Sequence, residues 1–129
     1  MCQSFRNKLK DRTVLVADDV DDVLFYYKAI FKLSNTRVLQ ARTGNEAIEV
    51  FRLHPETDAV LLDIQMPNGD GIMAMHGIRE INNDVPIIAQ TAHALPHDKK
   101  KFIAEGFNNY LSKPIRSSEL FEVLAQYVK

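Results

Sequence analysis

Asp58-Ala59-Val60-Leu61-Leu62-Asp63-Ile64-Gln65-Met66-Pro67 is the stretch that decides the fold. An apolar run delivers one carboxylate to the point where a proline forbids further strand. Such a run, closed by a turn signal, reads as a buried parallel strand, and ligands of open α/β sheets collect at the carboxyl ends of such strands. Asp63 therefore stands where chemistry would occur. Alone it would read as a helix cap, a frequent task for an aspartate after a strand. Three further runs end in the same way. Val14-Leu15-Val16-Ala17-Asp18-Asp19 ends in two acids, Ile87-Ile88-Ala89-Gln90-Thr91 in a hydroxyl, and Tyr110-Leu111-Ser112-Lys113-Pro114 in an ammonium. Four strand ends, each with a polar group, make a site.

The 129 residues are 46% hydrophobic and 26% charged, the balance of one globular domain. A chain of this size buries roughly two-thirds of its unfolded surface, enough for a core without staples. A net charge of −1 argues against a nucleic-acid surface, and the single Cys2 against a disulfide framework. The N-terminus lacks the apolar core of a signal peptide, and no run approaches membrane-spanning length. The expectation is a soluble, cytoplasmic chain with no direct contact to nucleic acid or membrane.

Residues 1–12 are polar and basic and read as a tail or linker that need not be ordered. The domain proper is expected over 13–129. Thr13 to Ala17 is the first strand, followed by apolar residues from Val20 to Phe31 at helical spacing and a stop near Ser34-Asn35. Arg37 to Ala41 is the second strand. Thr43-Gly44-Asn45-Glu46 has a capping-box pattern, and its helix closes at His54-Pro55. After the Asp63 strand, Asn68-Gly69-Asp70-Gly71 is turn chemistry, and Ile72, Met75 and Ile78 mark a third helix ending at Asn82-Asn83. Val85 to Gln90 is the fourth strand, with a helix from near Leu95-Pro96 to Gly106. Phe107 to Leu111 is the fifth strand, and a last helix starts at Ser117-Ser118. Strict alternation predicts an α/β fold, a parallel five-stranded sheet with helices on both faces.

The acids dictate the chemistry. Asp18, Asp19 and Asp63 would repel one another by roughly 3 kcal/mol per pair at ~5 Å and an effective dielectric of 20. A cation must be recruited, and oxygen donors with open positions suit Mg²⁺. A carboxylate can attack phosphorus to give an aspartyl phosphate while a metal and a lysine neutralise the phosphoryl oxygens. Asp63 is the candidate nucleophile, Asp18 and Asp19 the metal holders, and Thr91 and Lys113 the oxygen clamps.

With these residues in place the chain resembles the receiver domain of two-component response regulators, the family of the chemotaxis regulator. The likeness runs from Thr13 to Val128. It rests on Val-Ala-Asp18-Asp19, Asp63-Ile-Gln-Met-Pro67 with Asp70-Gly71, Pro86-Ile-Ile-Ala-Gln-Thr91-Ala92, and Tyr110-Leu-Ser-Lys113-Pro114. The resemblance implies a flavodoxin-like, doubly wound sheet of order 2-1-3-4-5 with five helices, and a cis Lys113-Pro114 bond. It implies phosphorylation of Asp63 by a histidine kinase or histidine phosphotransfer domain, with Mg²⁺ held by Asp19, Asp63 and the Gln65 backbone carbonyl, and by Asp18 through water. Thr91 and Lys113 would meet the phosphoryl group, and Tyr110 would be a switch aromatic. The face of the fourth helix, fifth strand and fifth helix would meet a downstream protein, and Gln65 and His93 would flank the phosphoryl group and set its lifetime. Such a domain catalyses only its own phosphorylation and dephosphorylation. Gly69 and Gln65 depart from the common pattern without removing a reactive group, and Gln90, before Thr91, is less usual there than an aliphatic residue. The stretch from Pro86 to Ile115 is similar to receivers of hybrid histidine kinases, and the sequence is compatible both with a stand-alone regulator and with a piece of such a kinase.

Other readings are weaker. His93 and His97 are four apart but have no third ligand at useful spacing for zinc. Gly69-Asp70-Gly71 lacks the third glycine of a dinucleotide fingerprint and follows the wrong strand. A phosphatase of the haloacid-dehalogenase type would carry a second aspartate where Gln65 stands. A degenerate receiver that only docks partners would not need all of Asp18, Asp19, Asp63, Thr91 and Lys113.

Overall fold

A computed structural model describes residues 7–68, 70–92 and 98–128. Five strands alternate with five helices: β1 (Thr13–Ala17), α1 (Asp21–Lys32), β2 (Arg37–Ala41), α2 (Gly44–Leu53), β3 (Ala59–Asp63), α3 (Gly71–Ile81), β4 (Ile87–Thr91), α4 (Asp98–Glu105), β5 (Asn109–Ser112) and α5 (Ser117–Tyr127). All neighbouring strands pair in parallel, in the order β2-β1-β3-β4-β5. The expected doubly wound sheet of order 2-1-3-4-5 is thus the observed one.

The three inner strands are buried along their whole length, as a sheet covered on both faces requires. Val14, Val16, Leu61 and Ile88 face α1 and α5, where Leu24, Phe31, Phe121 and Leu124 complete one core. Leu15, Val60, Leu62 and Ile87 face the other way, onto Phe51, Met75, Ile78 and Phe102 of α2, α3 and α4. The alternation carries to the strand ends, so residues two apart along β3 and β4 share a face.

The helix starts follow local chemistry. Thr43 Oγ1 accepts from Glu46 N at 3.0 Å to open α2, and Asp70 Oδ1 accepts from Met73 N at 2.9 Å to open α3. Gly106, at φ +135°, ends α4 in a conformation that side-chain-bearing residues rarely adopt.

Three boundaries differ from the sequence reading. Leu9, inside the segment read as a tail, is fully buried against the α1–α5 core, and its carbonyl accepts from Thr36 Oγ1 at 2.8 Å. Lys8 Nζ meanwhile donates to the Ala125 carbonyl. β4 begins at Ile87 rather than Val85 because Pro86 has no N–H to give. β5 begins at Asn109 rather than Phe107. Phe107 instead plugs the loop edge-on to Phe102 at 5.9 Å, while the Asn108 side chain and backbone bond Ile87. Arg79 holds this corner by donating to the Gly106 and Val85 carbonyls and to Asn108 Oδ1. The expected helix start near Leu95-Pro96 lies outside the described residues.

Candidate functional site

β1, β3, β4 and β5 end side by side, and their terminal polar groups converge. Asp18 follows β1 with no exposed surface. One carboxylate oxygen accepts from Val20 N at 2.9 Å, and the other meets Lys113 Nζ at 2.6 Å. Asp63, the last residue of β3, is 6% exposed and accepts from Gln65 N at 3.3 Å through Oδ1. Its Oδ2 lies 3.4 Å from Lys113 Nζ. Asp19 is exposed at the rim, and ligand oxygens of Asp18, Asp19 and Asp63 all lie within 4.8 Å of one another.

The loop after β3 folds back tightly. Gly71 N donates to the Ile64 carbonyl, and a Cβ on Gly71 would come within 2.3 Å of the Asp63 carbonyl oxygen. Only glycine lets α3 start this close to the phosphoacceptor candidate. On the other side the Lys113–Pro114 peptide bond is cis, and Lys113 N donates to the Thr91 carbonyl at 2.9 Å. That bond holds the lysine and threonine strand ends together.

Electrostatics follow from crowding. Burial first, then the Asp18 charge, raises the Asp63 pKa above its ordinary value, and Lys113 only partly offsets this. For Lys113, burial pulls the pKa down. The hydrogen bond to Asp18 and the charges of Asp63 and Asp18 outweigh it, and the ammonium ends with a raised pKa. Three acids and one lysine leave the cluster with net negative charge, and its donors are all oxygen. That donor set fits Mg²⁺.

Most of the residues singled out from sequence meet here. Thr91 ends β4 beside Asp63, with its side chain buried. Tyr110 lies two residues back from the end of β5, half-buried against the α2–α3–α4 core with its ring 6.1 Å from Phe102. The Gln65 side chain is exposed. His93 and His97 lie outside the described residues. From sequence Gln90 is only a departure from the common pattern. It is fully buried, and the hydroxyl of the buried Tyr27 donates to its carbonyl oxygen. A glutamine closing an apolar strand is a signal that a buried donor faces it, but nothing in the spacing pointed to Tyr27.

Residues 14–125 match the family model of the response regulator receiver domain. The chain belongs to that family. This receiver domain is 35% identical over 117 residues to the signal transduction histidine-protein kinase BarA of Escherichia coli K12, a match covering 89% of this chain and 13% of BarA. It is 34% identical over 116 residues to the transcription factor SKN7 of Saccharomyces cerevisiae, covering 90% of this chain and 18% of that protein. The chain therefore spans less than a fifth of these relatives.

Among solved structures, the receiver domain of sensor histidine kinase PA1611 from Pseudomonas aeruginosa PAO1 superposes with a TM-score of 0.83 at 30% identity. That match covers 92% of this chain and 98% of that one. That structure holds a magnesium ion coordinated in its active-site cleft. A chain of the CheX–CheY complex with BeF3 and Mg²⁺ from Borrelia burgdorferi gives 0.86 at 27% identity, covering 93% and 92%. No helix among the described residues is long and apolar enough to cross a membrane.

Proposed function

We propose that this receiver domain accepts a phosphoryl group on Asp63 from a phosphohistidine, in a Mg²⁺-dependent reaction, and thereby switches a protein-binding surface. The convergence of Asp18, Asp19, Asp63 and Lys113 at adjacent strand ends carries this reading. Asp63 supplies the nucleophilic oxygen. The carboxylate attacks phosphorus, the bond to the donor imidazole breaks, and the imidazole nitrogen keeps the electron pair. Asp19, Asp63 and the Gln65 carbonyl would hold Mg²⁺ directly and Asp18 through water. Bound there, the ion supplies charge neutralisation at the phosphoryl oxygens. Lys113 already sits within 3.4 Å of Asp63 Oδ2, and Thr91 stands at the neighbouring strand end to bind a second phosphoryl oxygen.

The domain is a signalling module that catalyses only its own phosphorylation and hydrolysis, in the cytoplasm where phosphohistidine donors work. A groove of about 540 Å³, lined by Val23, Tyr26, Pro114 and Ile115, opens beside Lys113, and Val20, just before α1, and Phe25, on it, are exposed. This apolar rim next to the acids suits a helical donor domain. The α4–β5–α5 face, reached through Thr91 and Tyr110, is the output surface. Gln65 and His93 tune the lifetime of the phosphoryl group. Decay that depends on pH near neutrality in the unsubstituted chain, but not in His93→Ala, would bear out the histidine's part.

The test is transfer. Mixed with a phosphorylated histidine phosphotransfer domain and Mg²⁺, the chain should draw the phosphoryl group from the donor. Asp63→Asn and chelation of the metal should each stop it. Transfer that survives Asp63→Asn would place the acceptor elsewhere.

A further inference from the structure

β4 runs Ile87, Ile88, Ala89, then Gln90, whose carboxamide lies in the core with no exposed surface. Gln90 lies two residues beyond Ile88 and so faces α1 and α5, in register with Asp63 on β3 and Leu111 on β5. Its backbone carbonyl accepts from Ile64 N at 3.0 Å, and the next residue is Thr91. Gln90 is thus covalently joined to one arm of the site and hydrogen-bonded to the loop that carries the other. Tyr27, 1% exposed on α1, donates its hydroxyl to Gln90 Oε1. Among the described residues, Gln90 Nε2 is a buried side-chain nitrogen with no hydrogen-bond partner.

Stability does not explain this choice. An unpaired buried amide donor costs about 1–3 kcal/mol, whereas apolar side chains in place of both Tyr27 and Gln90 would leave no polar group unpaired there. Sequences break such rules chiefly at functional sites. Tyr27 is also held firmly. Its ring stacks on Phe31 at 6.4 Å, and Phe31 meets Phe121 of α5 edge-on at 5.6 Å. Burial, and then the Asp18 charge, raise the Tyr27 pKa, so the phenol keeps its proton and remains a donor.

We propose that Tyr27 and Gln90 are a positioning pair for phosphoryl transfer: their hydrogen bond pins the end of β4, and with it Thr91, to α1 at a set distance from Asp63. This rests on Asp63 being the phosphoacceptor. The acids that would hold the metal are Asp18 and Asp19, just after β1, and Asp63, at the end of β3; the Tyr27 bond is made to the Gln90 side chain, next to Thr91, so the pair acts chiefly on the transfer step.

Tyr27→Phe, Gln90→Met and the double variant are compared with the unsubstituted chain in three measurements. These are the rate of phosphorylation by acetyl phosphate and Mg²⁺, Mg²⁺ affinity from amide chemical shifts, and urea unfolding. Each single variant should bind Mg²⁺ unchanged yet phosphorylate roughly 3- to 10-fold more slowly, within the ~100-fold that misplacing a reacting group by about 1 Å can cost. The double variant leaves no polar group unpaired and should regain stability while staying slow. Gln90→Met conserves volume and reads the pair even if Tyr27→Phe disturbs the aromatic column. A double variant that recovers rate together with stability would reduce the pair to packing, and equal rates in all four proteins would overturn it outright. An unsubstituted chain that gains no phosphoryl group would overturn the phosphoacceptor reading as well, so the two failures are distinct.

Discussion

Lys113 Nζ lies 2.6 Å from Oδ2 of Asp18, a carboxylate with no exposed surface. The lysine is the positive charge that lets three acids share one corner of the sheet. Lys113→Met should therefore cost about 3 kcal/mol, the typical penalty for stripping one partner from a buried ion pair. Added Mg²⁺ should return part of that stability, because an ion that binds the folded acids favours the folded state. Urea unfolding with and without the metal reads both effects. An identical loss under the two conditions would mean that Mg²⁺ does not bind among these acids.

Burial and the Asp18 charge hold the Asp63 pKa above its ordinary value of 3.8. A raised carboxyl pKa means the folded chain binds the proton more tightly than the unfolded one. The resulting stability is present in acid below the ordinary value and is lost as pH rises through the raised one. At neutral pH the charged Asp63 is thus a net burden. Asp63→Asn, which removes the buried charge, should therefore stabilise the chain there. The advantage should vanish at acid pH. Thermal unfolding across that range is the measurement, and a variant less stable than the parent at neutrality would contradict it.

Gly71 is needed for space and not for its backbone angles. A methyl group there would press on the Asp63 carbonyl oxygen at 2.3 Å, and a backbone atom cannot swing aside. Gly71→Ala should cost about 3 kcal/mol, the upper end of ordinary overpacking, and should slow phosphorylation by shifting Asp63. Gly77 is the control. There the methyl would meet the Cδ1 end of the Ile48 side chain, which can turn away, so Gly77→Ala should leave the phosphorylation rate unchanged.

Thr91 and Tyr110 share the α2–α3–α4 face of adjacent strands. When Thr91 turns toward a phosphoryl oxygen it frees space that the half-exposed Tyr110 ring can take, so a local contact biases a two-state element. The chain has no tryptophan, so amide chemical shifts serve as the probe. With beryllofluoride and Mg²⁺, shifts should reach Tyr110, Phe102 and α4. Shifts confined to the loop after Asp63 would break the proposed link.

How much of this was legible beforehand depended on range. β1, β2 and β3 could be bounded closely because each is a short run cut by a charge or turn residue. The site was legible because parallel topology brings the ends of β1, β3, β4 and β5 together, so separate motifs become neighbours once the fold is known. What stayed hidden depends on contacts between distant residues of ordinary type. Leu9 looks like any residue of a basic tail until Thr36 and the α1–α5 core receive it. Phe107 and Asn108 have strand-like patterning, but Arg79, 27 and 29 positions away from its partners Gly106 and Asn108, fixes that corner as a loop. The Tyr27–Gln90 bond spans 63 positions and has no local signature.

The most direct measurement is the intact mass of the chain after treatment with acetyl phosphate and Mg²⁺. One base-labile phosphoryl adduct should appear in the unsubstituted protein, and none in Asp63→Asn. An adduct that persists in Asp63→Asn, or none in either protein, would contradict the assignment of Asp63 as the phosphoacceptor.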